Sequence, residues 1–222
     1  MTRIVFVHTL SGLADVFERL SAELLPTAEA GSVVVPHLLQ RTVESGRLDH
    51  ETIDELEAIV REAAFAATGD VDAIMVTCST LGPAVDAIRA RLDVPLMRVD
   101  DAMARQAVRS GRRIGVLATL PTTLEPTADL LARVAEEEGR EVVVRSKLCD
   151  GAFEAVTSGD VARHDELVRR GLAELAQGSD VIVLAQASMA RAIDTAETPP
   201  EVPVLTSPRL AVEQLRSLLA PQ

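Results

Sequence analysis

The sequence predicts an α/β protein of two pseudo-symmetric lobes, each a four-stranded parallel sheet flanked by helices, with a site in the cleft between them. Three observations carry that prediction. Short apolar runs rich in Val and Ile alternate with longer amphipathic stretches, the βα rhythm of parallel sheets covered by helices on both faces. Landmarks of the first half return in order in the second. Finally, the run Val71-Asp72-Ala73-Ile74-Met75-Val76 ends in Thr77-Cys78-Ser79-Thr80 just before a helical pattern, and open α/β sheets bind ligands beside strand carboxyl ends and helix N-termini.

In chain order, Arg3-Ile4-Val5-Phe6-Val7 reads as a strand over 3–7, followed by a helix over 13–25. A valine run predicts a strand over 32–36, and an amphipathic stretch a helix over 50–67. The strand over 71–76 has the β-branched, doubly apolar pattern of a central strand. The helix after it, 83–92, keeps Ala84, Ile88 and Leu92 on one face, and a strand over 94–97 completes the first sheet. Asp100 and Asp101 open a helix over 101–109, where carboxylates complement the dipole. Strands over 113–118, 141–145, 180–184 and 202–205 then alternate with helices over 124–138, 163–177 and 189–196, and a helix over 209–219 follows. Pro199-Pro200 marks a turn before the last strand. The lobes divide as 1–98 with 206–222, and 99–205.

The internal repeat is the most informative pattern. Arg3-Ile4-Val5-Phe6-Val7-His8-Thr9-Leu10 lines up with Arg113-Ile114-Gly115-Val116-Leu117-Ala118-Thr119-Leu120, and Val33-Val34-Val35 with Val142-Val143-Val144. Asp72 to Cys78 lines up with Asp180 to Gln186, and Asp93-Val94-Pro95-Leu96 with Glu201-Val202-Pro203-Val204. A cleft between two such halves is expected to be lined by 8–11, 77–80, 119–123 and 186–188.

Composition narrows the function. A net charge of −12 over 222 residues argues against nucleic acid or an anionic membrane as partner. No apolar stretch approaches the ~18 residues of a membrane span, and no secretory pattern opens the sequence, so a cytoplasmic location is expected. The only cysteines are Cys78 and Cys149, expected to be reduced there. Without a C-x-x-C or a His-rich cluster a structural zinc is not implied, and without a G-x-G-x-x-G or P-loop neither is a dinucleotide or ATP.

The Thr-Cys-Ser-Thr turn at 77–80, the segment Ile114-Gly115-Val116-Leu117-Ala118-Thr119-Leu120-Pro121-Thr122-Thr123 and the repeat together resemble the aspartate/glutamate/hydantoin racemase superfamily, with its arylmalonate decarboxylase and maleate isomerase branches. The resemblance covers essentially the whole chain. It implies an enzyme that needs no cofactor and no metal, acts at the α-carbon of a small carboxylate, and forms a homodimer. Racemases of the family use one cysteine from each half on opposite faces of the substrate; the first falls on Cys78, the second on Gln186. An amide cannot exchange a proton at neutral pH, so the two-thiol mechanism is broken here. Racemase or isomerase chemistry with Cys78, decarboxylation of a malonate-like acid with a single thiol, and a non-catalytic carboxylate-binding relative all remain open.

Cys78 therefore reads as a proton-transfer thiol, with a pKa expected below the ordinary value of about 8.5 and faster alkylation than Cys149; its bland reading is a small buried residue at a strand end. The resemblance makes Ser79 and Thr80 carboxylate ligands, and hydroxyls there also cap helices. Thr119, Thr122 and Thr123 correspond to residues that hold carboxylate or enediolate oxygens, with hydroxyl and backbone N–H groups acting as an oxyanion hole; a helix-capping Thr/Pro turn is the alternative. Gln186 and Ser188 read as hydrogen-bond donors to substrate, and Ser11 as a further oxygen ligand. His8 reads either as a substrate contact that tunes Cys78 or as a residue satisfying turn backbone. Cys149 reads as a displaced second acid at the cleft edge or as an ordinary buried thiol, and His37, His50 and His164 as surface or cap residues.

Overall fold

In a computed structural model, which describes residues 2–66, 70–195 and 200–220, the chain divides into two compact units, Met1–Val99 with Pro208–Gln222, and Asp100–Ser207. In the first, β1 (Thr2–His8), β2 (Ala28–Val34), β3 (Ala73–Val76) and β4 (Leu96–Arg98) form a parallel sheet in the order β2-β1-β3-β4. In the second, β5 (Arg113–Ala118), β6 (Val143–Leu148), β7 (Val181–Leu184) and β8 (Val204–Leu205) form one in the order β6-β5-β7-β8. The central strands β3 and β7 are buried along their whole length. Helices α1 (Gly12–Leu24), α2 (Pro36–Ser45), α3 (His50–Ala66) and α4 (Gly82–Ile88) belong to the first sheet. Helices α5 (Asp101–Ser110), α6 (Pro121–Glu137), α7 (Ala152–Thr157), α8 (Val161–Ala176) and α9 (Arg191–Asp194) belong to the second. The last helix, α10 (Ser207–Leu218), returns to the first unit, where Arg209 pairs with Glu23 of α1 at 2.8 Å.

The repeat is carried down to single hydrogen bonds. Asp72 accepts the backbone N–H of Arg3 (2.7 Å), and Asp180 accepts those of Arg112 (3.1 Å) and Arg113 (2.8 Å). At the other end of the strands, Thr77 N–H reaches Val7 O and Ala185 N–H reaches Leu117 O, both at 2.9 Å. Cys78 and Gln186 therefore occupy equivalent positions, each one residue past such a bond and each opening a single 3₁₀ turn, Ser79–Leu81 and Ala187–Ala190. Their backbones match, with φ, ψ of −115°, 111° and −118°, 135°.

One landmark of the repeat is out of register. The second strand runs over Ala28–Val34, earlier than the expected 32–36, because Pro36 starts α2 instead of ending a strand; proline suits the first helical turn, where its missing N–H is no loss. Paired through their sheets, Val35 N–H bonds His8 O and Cys149 N–H bonds Ala118 O, so Cys149 is the counterpart of Val35, and Val33–Val35 do not correspond to Val142–Val144. The continuous helix expected over 83–92 is instead a seven-residue α4 between 3₁₀ turns Ser79–Leu81 and Arg89–Arg91. The helix over 189–196 is likewise a 3₁₀ turn followed by the four-residue α9. Helices α2 and α7 were not expected. Ala67, Ala196 and Pro199, which end or mark expected elements, lie outside the described residues.

Candidate active site

Both sheets end at their carboxyl edges in small polar residues, and in each unit the residue that follows the central strand pairs with a threonine that follows its neighbour. In the first unit the hydroxyl of Thr9, just past β1, hydrogen-bonds the Cys78 sulphur. In the second, Gln186 pairs with Thr119, just past β5: Thr119 N–H donates to Gln186 Oε1 (2.6 Å) and Gln186 Nε2 donates to Thr119 Oγ1 (2.7 Å). Thr9 and Thr119 are counterparts in the repeat, so the same contact is built twice, once with a thiol and once with an amide.

Cys78 is 8% exposed. Burial pushes its thiol above the ordinary value, and this outweighs hydrogen bonds from the Thr9 hydroxyl, the N–H groups of Leu81 and Thr80, and the Thr80 hydroxyl, all of which favour the thiolate. The expected lowering is thus corrected: a 3₁₀ turn and a seven-residue helix offer two N–H groups and a short dipole, less than the desolvation of an anion costs. The thiol stays protonated at neutral pH, set among polar donors. Ser79 is buried beside it, and its hydroxyl has no partner.

Cys149, by contrast, sits in hydrocarbon with Leu117, Leu167, Val168 and Leu172. It is 4% exposed, and burial raises its pKa to about 11. The structure corrects the reading of this thiol as a displaced second acid: an apolar site makes it an inert core residue.

His8 is fully buried, between Phe6 and Phe17 with ring centroids at 6.1 and 5.6 Å. Its Nδ1 lies 2.7 Å from Thr77 Oγ1 and its Nε2 3.2 Å from Ser32 Oγ. The Thr77 hydroxyl donates to Val7 O (3.2 Å), so the histidine carries its proton on Nδ1, and Ser32 donates to Nε2. Burial lowers the pKa of His8 to about 4. With both nitrogens engaged and the ring neutral, His8 holds the ends of β1 and β3 in place and has no hydrogen bond left for substrate, which corrects its reading as a substrate contact.

The remaining site residues divide. Thr80 is buried with Cys78, while Ser11 is exposed before α1 with no side-chain capping bond. Thr123 is fully buried, and Thr122 has a buried hydroxyl without a partner. Ser188 is half-buried on the turn after Gln186. Gln186 takes up the backbone N–H of Thr119, which is thereby lost as an oxyanion donor, while the Thr119 hydroxyl only accepts from Gln186 and keeps its own O–H to donate. His164 is buried on α8 and not a surface residue: Nδ1 is 3.0 Å from Asp165, which also takes Arg191 at 2.7 Å. Thr9 and Thr77 fall within the stretches expected to line the cleft, but residue type and spacing assign neither a role; the alignment of Thr9 with Thr119 pointed to the first. Among the described residues no group of His, Cys, Asp and Glu is arranged to hold a metal, and no helix is long and apolar enough to cross a membrane.

Comparison with known proteins agrees with this layout. The chain is 30% identical to a glutamate racemase of Vibrio vulnificus over 125 residues, 54% of this chain and 46% of that relative, so it spans under half of the relative's length. Its fold matches a glutamate racemase of Bacillus anthracis with a TM-score of 0.72 at 19% identity, covering 98% of this chain and 81% of the other. It matches an arylmalonate decarboxylase with a TM-score of 0.59 at 17% identity, covering 99% and 94%. Identities this low speak for the fold alone. A model of the Asp/Glu/hydantoin racemase family matches residues 9–215, nearly the whole chain, and the protein belongs to that family.

Proposed function

We propose that the protein is an enzyme of the racemase or isomerase type that works without a cofactor: the thiolate form of Cys78 takes the proton from the α-carbon of a small carboxylate, the C–H electron pair passes into an enediolate, a water on the opposite face returns a proton to the carbon, and the hydroxide left behind takes the S–H proton. The observation that carries the reading is the arrangement around the sulphur: a protonated thiol held by Thr9, Thr80 and Leu81, next to a buried Ser79 hydroxyl that nothing in the chain occupies. Ser79 and Thr80 bind a carboxylate oxygen. Charge developing on the enediolate is met by hydroxyl and N–H donors, and removing one such donor typically costs about 3 kcal/mol of transition-state stabilisation. Thr122, Thr123, Ser11 and Ser188 supply further oxygen contacts in this reading.

Gln186 favours a second reading within the same chemistry. Its amide is tied to Thr119 and has no proton to exchange, so the chain offers one thiol where two-base racemisation needs two. Decarboxylation of a malonate-like acid needs one: the bond to the departing CO2 breaks, its electron pair forms an enediolate, the Cys78 S–H proton passes to the α-carbon, and solvent reprotonates the sulphur.

The test is NMR in deuterated buffer with a panel of amino acids, hydantoins and α-substituted malonates. The racemase reading expects α-deuterium incorporation without loss of carbon, and the decarboxylase reading expects CO2 release with one deuterium placed on a single face. Cys78→Ala should abolish either while the protein remains folded. Undiminished turnover in that variant ends the assignment of Cys78.

A further inference from the structure

The 3₁₀ turn that carries Cys78 is pinned from below by a buried cation. Arg98, the last residue of β4, pairs in register with Val76, two residues before the cysteine. It is 3% exposed, and its guanidinium is ion-paired with Asp86 of α4, which also pairs with Arg89. The same guanidinium lies flat against Gly82, the first residue of α4: a Cβ built there would stand 2.5 Å from Arg98 Cζ and 2.8 Å from Nε. The backbone of Gly82 is ordinary right-handed helix, φ −53° and ψ −45°, so any residue could adopt it. The glycine is needed for the room it leaves to Arg98.

This arrangement is unfavourable when taken alone. A cation beside a helix N-terminus opposes the dipole, glycine costs about 1 kcal/mol in a helix, and a buried ion pair is weak support for stability. What it secures is the register of Gly82 with the strand end, and with it the turn Ser79–Leu81, whose Thr80 and Leu81 N–H groups reach the sulphur. We propose that Arg98 is a positioning residue for Cys78: seated on Gly82 and tied to Asp86, it holds shut the turn that buries the thiol among its donors. The proposal rests on the reading of Cys78 as the reactive group, but its geometry is testable without a substrate.

The experiment compares Gly82→Ala, Arg98→Met and the double variant in the full chain by iodoacetamide alkylation from pH 7 to 11, followed at each cysteine by peptide mass spectrometry. Opening the turn admits reagent and relieves the burial that dominates the thiol. Each single variant is therefore expected to alkylate Cys78 at least about tenfold faster, as local opening does, with the midpoint of the profile moving down. Cys149, deep in the other unit, should keep its rate. Because both substitutions disturb one contact, the double variant should be no faster than Arg98→Met alone, and Arg98→Lys, which keeps the charge, should fall between. The proposal is overturned by unchanged Cys78 profiles in both single variants, by a rise shared equally with Cys149, or by additive effects in the double variant. If the expected thiol behaviour appears in a protein that turns over no carboxylate, the proposed function fails and the positioning role stands.

Discussion

The pairing of Gln186 with Thr119 makes a quantitative prediction, because it gives a backbone donor at a buried strand end its acceptor. Replacing Gln186 by Leu keeps the bulk and removes the amide. Thr119 N–H then loses its 2.6 Å acceptor and Thr119 Oγ1 its 2.7 Å donor, at a residue only 6% exposed. An unsatisfied buried N–H costs about 1–3 kcal/mol, while a hydroxyl can turn to another partner. Gln186 itself is half-buried, which lets water recover part of the loss. The expected destabilisation is therefore about 2 kcal/mol, or about 4–8 °C in Tm for a chain of this size. Urea and thermal denaturation of the parent, Gln186→Leu and Gln186→Glu measure it. The glutamate can still accept from Thr119 N–H but cannot donate, and should lose about half as much. A leucine variant within about 0.5 kcal/mol of the parent would mean that the amide is not engaged in solution, and the claim that the Thr119 N–H is closed to substrate would go with it.

Other outcomes follow from the same geometry. His8 has its folded pKa depressed from 6.5 to about 4, so the unfolded chain binds the extra proton. Stability is complete above pH 6.5 and falls as the pH drops towards 4, by up to ~3 kcal/mol; an acid titration of stability that stays flat over that window, or that is unchanged in His8→Gln, would refute it. Asp180, lowered to about 2 by its hydrogen bonds with the Arg113 side chain and backbone, should add a second acid limb between pH 3.8 and 2 that Asp180→Asn removes. Gly171→Ala forces a Cβ to 2.8 Å from Cys149 Sγ and Leu117 Cδ1, an overpacking expected to cost about 1–3 kcal/mol and to be partly relieved by Cys149→Ala in a urea melt of the double variant. Gln186→Cys should introduce or increase exchange of the α-hydrogen of a verified substrate with solvent deuterium; no gain counts against the idea that this position can serve as the second proton carrier.

Much of this protein is written locally. Alternating apolar runs and amphipathic stretches determined the α/β class, because the side-chain periods of strand and helix are properties of the backbone itself. The repeat determined that Cys78 and Gln186 are equivalent, since Asp72 and Asp180 begin runs of the same length and pattern. Elements whose ends depend on neighbours were not legible: β2 is an exposed edge strand whose valines belong partly to the turn into α2, and the helix expected over 83–92 ends at Ile88 in a 3₁₀ turn. The chemical state of the site was decided only in three dimensions. Whether a thiol is acidic, a histidine charged or an N–H available depends on burial and on partners distant in sequence, as Thr9 is to Cys78 or Gln186 to Thr119. Residue type and spacing name the groups that can react, while desolvation and pairing, which exist only once the chain has folded, determine which of them are free to do so.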